Sequence, residues 1–109
     1  MTYKQIKELI ESIGLPFNYF QWEIGQAPKL PYILFYYPER NDFVADGKNY
    51  QHIVRLNIEL YTSKKDFARE AEVEAVLESA EIIYEKEEQY IQDERMYEVL
   101  YTMEVLING

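Results

Sequence analysis

The chain has 109 residues, with twenty acidic and eleven basic side chains, a formal charge of -9, one histidine and no cysteine. One domain of this length buries roughly two thirds of its unfolded surface, so it needs no disulfide framework, and the missing thiols and lone histidine leave too few ligands for an ordinary zinc site. The negative charge opposes nucleic-acid phosphates and anionic membranes, no apolar run reaches bilayer length, and the N-terminus MTYKQIKELIESIG shows no signal-peptide core. The expectation is a soluble, unprocessed chain without tight nucleic-acid binding and without a membrane, in a setting compatible with a reducing compartment.

Ile6, Leu9, Ile10 and Ile13 stand at i, i+3, i+4 and i+7, one stripe of a first helix with Thr2 as its N-cap. Gly14 offers the left-handed residue that ends helices, and Leu15-Pro16 prevents continuation. The aromatic stretch Phe17–Ile24 reads as a first strand. After a loop over Gly25–Pro31, Tyr32–Tyr37 is a continuous apolar run bounded by prolines, the length of a well-buried strand. Pro38–Asp42 is turn-like.

Asp46-Gly47 is the best short-range hairpin signal, because a type I′ turn needs positive φ at both central residues. It joins Phe43–Ala45 to a long strand, Tyr50–Tyr61, and predicts that these two strands are neighbours. In that long strand His52, Val54, Leu56, Ile58 and Leu60 alternate with Gln51, Arg55, Asn57 and Glu59, the period of a half-buried sheet. Thr62–Asp66 holds a capping-box-like pair, Ser63 and Asp66, before a second helix whose stripe is Val73, Val76, Leu77 and Ala80. Glu70, Glu72, Glu74 and Glu78 are assigned mainly to its outer side. Ile82–Glu85 and Gln89–Ile91 read as short strand pieces around an acidic turn. The final strand, Arg95–Ile107, places Tyr97, Val99, Tyr101, Met103, Val105 and Ile107 on one face.

The fold expected is therefore α+β, a single domain over residues 1–109 with two helices packed on a mostly antiparallel sheet. Its expected core is Ile6, Leu9, Ile10, Val54, Leu56, Ile58, Val76, Leu77, Val99, Tyr101 and Met103. No internal repeat or linker interrupts it.

No motif carries chemistry. His52 lies on the apolar face of its strand, where a partly buried histidine with one hydrogen bond is the usual case and a general base would need a cleft and an orienting partner. Ser12, Ser63 and Ser79 are not in a nucleophile elbow. The carboxylates Glu85, Glu87, Glu88, Asp93 and Glu94 lack the spacing and glycine of a calcium loop and read as a solvated hairpin. The four glycines form no phosphate loop. Phe17, Tyr19, Phe20 and Trp22 would suit a base-stacking platform only in a positive groove, so they are assigned to core or subunit-interface packing. No catalytic, cofactor or metal residue is assigned, no cofactor is expected, and the protein is read as a non-enzyme. Eleven tyrosines exceed what so small a domain is expected to bury, which points to an oligomer.

The order of elements, with the stretches GLPFNYFQW, APKLPYILFYYP, NDFVADGKNYQHIVRLNIELYTSKKD, EAEVEAVLESAEIIYEKEE and MYEVLYTMEVLI, resembles the small tail-completion proteins of siphophages and Gram-positive prophages, the tail-terminator class typified by lambda-type phages. The LPYILFYYP run, the F-x-A-D-G hairpin and the N-x-E-L-Y-T-x-K-K-D junction carry the resemblance, which spans essentially the whole chain. It implies a virion protein, made in the bacterial cytoplasm, that forms a ring, typically a hexamer, on the tail tube. Its partners are then other copies of itself, the major tail protein and the head-tail connector proteins. Tyr36, Tyr37, Phe43 and Tyr50 are the candidate oligomer interface. The alternatives are a head-completion or neck protein and an acidic inhibitor or antitoxin-like protein that mimics nucleic acid.

Overall fold

The computed structural model describes residues 1–39, 43–45 and 48–108, with the side chains of 43–45 and 48–51 outside the description. The elements run α1 (Tyr3–Glu11), β1 (Phe17–Tyr19), β2 (Tyr32–Tyr36), β3 (Phe43–Ala45), β4 (Lys48–Thr62), α2 (Phe67–Ser79), β5 (Glu85–Ile91), a 3₁₀ turn at Gln92–Glu94, and β6 (Met96–Ile107). The strands form one mixed sheet in the order β1-β2-β4-β6-β5, with β3 pairing β4 as well. Among the described residues only β1 and β2 pair in parallel, and the other strand pairs are antiparallel. The architecture is the α+β arrangement the alternating patterns predict.

Both helices lie on one face of the sheet. Ile6 and Ile10 from α1, and Val73 and Leu77 from α2, share a core with Ile33, Phe35, Val54, Leu56, Ile58, Leu60, Val99, Tyr101, Met103, Val105 and Ile107. The period-two reading of β4 and β6 thus holds in phase and in face. Leu9 and Val76 are only half-buried. They line the crease between the two helices, where neither is covered by the sheet.

Thr2 caps α1 as predicted, and its capping box is completed by Gln5. Gly14 follows at φ +88, ending the helix in the left-handed region. The N-cap of α2 is Asp66, whose carboxylate accepts from the Arg69 backbone N–H at 3.1 Å, so the Ser63 box is corrected by three residues.

Three further expectations change. The first strand covers only Phe17–Tyr19, because Phe20 sits at φ +66 and the Gln21 N–H returns to the Tyr19 carbonyl at 2.7 Å, closing a tight turn. The acidic turn does not exist. Glu85–Ile91 is one continuous edge strand, and the reversal comes later, at Gln92–Glu94, with Arg95 at φ +51 before β6 begins at Met96. Finally Glu70 is 2% exposed rather than solvated. It is held by Lys65 and Lys86 at 2.7 and 2.8 Å, and Lys86 also reaches Glu74 at 2.8 Å. Strand β5 places Lys86 and Glu88 towards α2, so the mixed charges of EKEEQYI close a polar layer beneath that helix.

The β3–β4 pairing predicted from the Asp46-Gly47 signal is present, although those two turn residues lie outside the described ones. β3 continues the line of β2 along β4, since the Arg55 N–H donates to the Glu39 carbonyl at 2.9 Å between the two pairings. On the other side of β4 the β6 pairing stops at His52 opposite Ile107. Among the described residues, 48–51 have β3 alone as a partner strand, and the sheet tapers from five strands to a two-stranded arm. The radius of gyration, 15.0 Å, exceeds the value of about 13 Å for a compact chain of this length, and the longest extent is 50 Å.

Candidate assembly surface

Because both helices sit on one side, no layer among the described residues covers the opposite face of the sheet. Its residues are Tyr32, Leu34 and Tyr36 from β2, Asn57, Glu59 and Tyr61 from β4, and Glu98, Leu100 and Thr102 from β6. Several are nonetheless buried, among them Tyr32, Leu34, Asn57 and Glu98. They shelter one another. Asn57 donates to the Tyr36 hydroxyl at 3.2 Å and accepts from Thr102. Tyr61 donates to one Glu98 oxygen at 2.7 Å and Gln89 to the other at 2.8 Å.

Glu59 stands diagonal to Glu98 across the β4–β6 pairing, since Glu59 faces Leu100 and Tyr61 faces Glu98. Burial, and then the charge and hydrogen bonding of Glu98, push the Glu59 carboxyl up to about 7. Burial and the bond to Glu98 likewise raise the Tyr61 phenol well above its usual range. A carboxyl with a raised pKa thus sits beside a second carboxylate on a face that sequence alternation assigns simply to solvent.

At the β1 edge a belt of aromatic rings wraps both faces. On the open face Trp22 stands edge-on to Tyr32 with centroids 5.4 Å apart, Tyr32 leans on Tyr61 at 5.3 Å, and Phe20 stands edge-on to Tyr36 at 5.5 Å. On the helix side Tyr19 meets Phe35 at 5.3 Å, and Tyr3 meets Tyr37 at 5.1 Å. These rings bound a groove of about 530 Å³, with Phe17 and Lys7 completing its wall. The Tyr37 N–H donates to the Tyr19 hydroxyl at 3.2 Å, and burial, followed by Tyr3 and Tyr19, pushes the Tyr37 phenol up to about 12. Tyr3, Tyr19 and Phe20 remain about half exposed. The turn at Phe20 matters here. A bulky residue with positive φ is held against its own preference, and the result is to turn an aromatic ring outwards onto the open face.

Tyr36 and Tyr37, named from sequence as interface candidates, thus fall on opposite faces of the same edge. Phe43 and Tyr50 are in the arm: Phe43 is paired with Gln51, Tyr50 falls at the irregularity in the β3–β4 register, and both side chains lie outside the described residues. Backbone topology puts all four along one edge line of the sheet, from β2 into β3 and its partner. Sequence reasoning placed Phe20 and Trp22 in core or subunit-interface packing and missed Tyr3 as a member of this surface. Their clustering follows from the tight turn and the parallel β1–β2 pairing, neither of which has a local signature.

The remaining candidates separate. His52 is half-buried in the apolar phase of β4, opposite Ile107. Glu85 and Glu87 are exposed along β5, Glu88 is engaged with Lys65 at 3.0 Å and with Tyr97, and Asp93 and Glu94 lie exposed in the 3₁₀ turn. Among the described residues no three His, Cys, Asp or Glu side chains converge as a metal site would require, and no helix is long and apolar enough to cross a membrane. Compared with known proteins, the chain matches no family model and no curated protein.

Proposed function

We propose that this protein is a structural subunit of a phage or prophage tail, a tail terminator that caps the tube and joins it to the head as a ring. The observation that carries the reading is the arm. An isolated two-stranded ribbon is marginal in water, and its unpaired edges invite a further strand, so residues 43–51 are best understood as reaching another subunit. The aromatic belt supports the same reading, because exposed Tyr, Phe and Trp side chains are the large amphipathic contacts that interface cores favour.

The open face also favours assembly over nucleic-acid mimicry. A mimic needs ionised carboxylates in a row, whereas burial and the neighbouring Glu98 push the Glu59 carboxyl up to about 7, and both residues are interleaved with Tyr32, Tyr36 and Tyr61. The test is electron microscopy of purified tail tubes mixed with the protein. Wild type should place a disc on one end of each tube, and Phe43→Asp should leave the ends bare. Bare ends with both proteins would remove the proposal.

A further inference from the structure

The twelve-residue β6 is longer than its edge partner. β5 accompanies it only from Ile91 opposite Met96 to Glu85 opposite Thr102, after which the preceding chain, 82–84, turns away. At the far end Met1 takes over: its ammonium donates to the Leu106 carbonyl at 3.1 Å, and its carbonyl accepts from the Asn108 N–H at 2.9 Å. These two bonds show that the even residues of this stretch aim their backbone groups away from β4, since orientation alternates along a strand. By that alternation the Glu104 N–H and C=O and the Leu106 N–H point into the gap between Tyr84 and Met1. No protein group among the described residues bonds them. The gap opens into a cavity of about 560 Å³.

We propose that this step in the β6 edge is a strand-addition site for a partner protein that presents an extended apolar–basic–apolar segment. An incoming strand that continues the line and direction of β5 sets its central residue opposite Glu104 and its flanking residues opposite Met103 and Val105. The flanking positions fall on the helix face, against Met103, Val105, Ile82 and Tyr84, all of which line the cavity, so they call for apolar side chains. The central position falls on the open face beside the half-exposed carboxylate of Glu104, with Glu85 diagonal to it. Arg55 stands nearby but is already engaged, at 2.8 Å to Glu39 and 3.5 Å to Glu104, so a Lys or Arg from outside answers the remaining negative charge.

A second copy of this chain does not supply such a segment. Of its eleven Lys and Arg residues, only Arg55 stands between two apolar residues other than proline. That triplet is in the middle of β4, bonded towards Glu39 on one side and paired with Glu104 on the other. The occupant is thus a different protein, and the site does not depend on the tail reading.

The test is a titration of the ¹⁵N-labelled protein with the peptide acetyl-Val-Lys-Val-amide to about 10 mM, a range suited to the millimolar affinity of so short a contact. The amides of Glu104 and Leu106 should shift downfield in a saturable way. Replacing the peptide lysine by glutamate, or methylating its backbone nitrogen, should weaken binding at least tenfold on the order expected for losing a charge pair or a backbone bond. E104K should reverse the preference and take the glutamate peptide. Two results would overturn the proposal: unshifted Glu104 and Leu106 amides, or protection of those amides in the protein alone that grows with its concentration, which would assign the gap to a second copy.

Discussion

Raising the pH through neutrality is expected to weaken the fold through one side chain, Glu59. Its carboxyl titrates at about 7 in the folded protein, against 4.5 when free, because it is buried beside Glu98. Between those two values the folded state holds a proton that the unfolded chain has released, so stability falls as pH rises from about 4.5 to about 7 and is level above that. At about 1.36 kcal/mol per pH unit the displacement sets a ceiling of about 3.4 kcal/mol. Glu59 keeps partial contact with water across the open face, and screening there reduces the expectation to about 1–2 kcal/mol. Glu74 and Glu88 do not interfere. Their carboxyls are held below the ordinary value, Glu74 by Lys86 and Tyr101 against the opposing effect of burial, and Glu88 by Tyr97 and Lys65, so both are ionised throughout the upper part of the window. The assay is urea unfolding at pH 5.5 and 8.5 for wild type and Glu59→Gln, at low protein concentration. Taking the difference between the two proteins cancels every contribution they share. Because about 1.5 of the 2.5 pH units lie above the lower assay pH, wild type should lose about 0.6–1.2 kcal/mol more than the variant on going to the higher pH. Parallel losses would refute the raised Glu59 carboxyl.

Leu56→Ala should destabilise by about 2–5 kcal/mol, because Leu56 is fully enclosed at the middle of the central strand; an unchanged thermal midpoint would show that the phase of β4 is wrong. Asp66→Ala should cost about 1 kcal/mol through loss of the α2 cap, readable by chemical denaturation and restored by Asn or Ser. Glu70→Ala should cost about 1–3 kcal/mol, less than the 3–5 of a fully buried pair, since Lys65 and Lys86 keep Glu88 and Glu74 and are themselves partly exposed. A loss below the error of a urea titration would place Glu70 in solvent.

The elements with long, regular alternation were legible from the chain alone. In β4 and β6 the apolar phase settles which face meets the helices, and the pairing of two such strands follows because each must bury that phase against the same layer. Short elements were not. Phe17–Ile24 looks like one aromatic strand because local composition carries no sign that Phe20 will be forced to positive φ. EKEEQYI looks like a turn because its charges are read as solvated, while in the fold Lys86 and Glu88 meet α2 and the strand is an edge where charged side chains are at home. Glu70 was assigned outwards by helical periodicity, yet two lysines from outside the helix turn a buried position into an acceptable one. The Glu59–Glu98 pair has the same origin: alternation gives the face but not the neighbours that shield it. Of the four interface candidates, Tyr36 and Tyr37 were found by proximity to the hairpin, and the neighbouring rings joined them only through tertiary pairing.

The central claim is that the arm and aromatic edge serve a subunit that ends tail growth. It is tested most directly by measuring the length distribution of tail tubes polymerised from the major tail protein of the same source, with and without this protein present from the start. Growth arrest should shorten the distribution in proportion to the number of rings added. Tubes of the same lengths in both reactions would contradict the account.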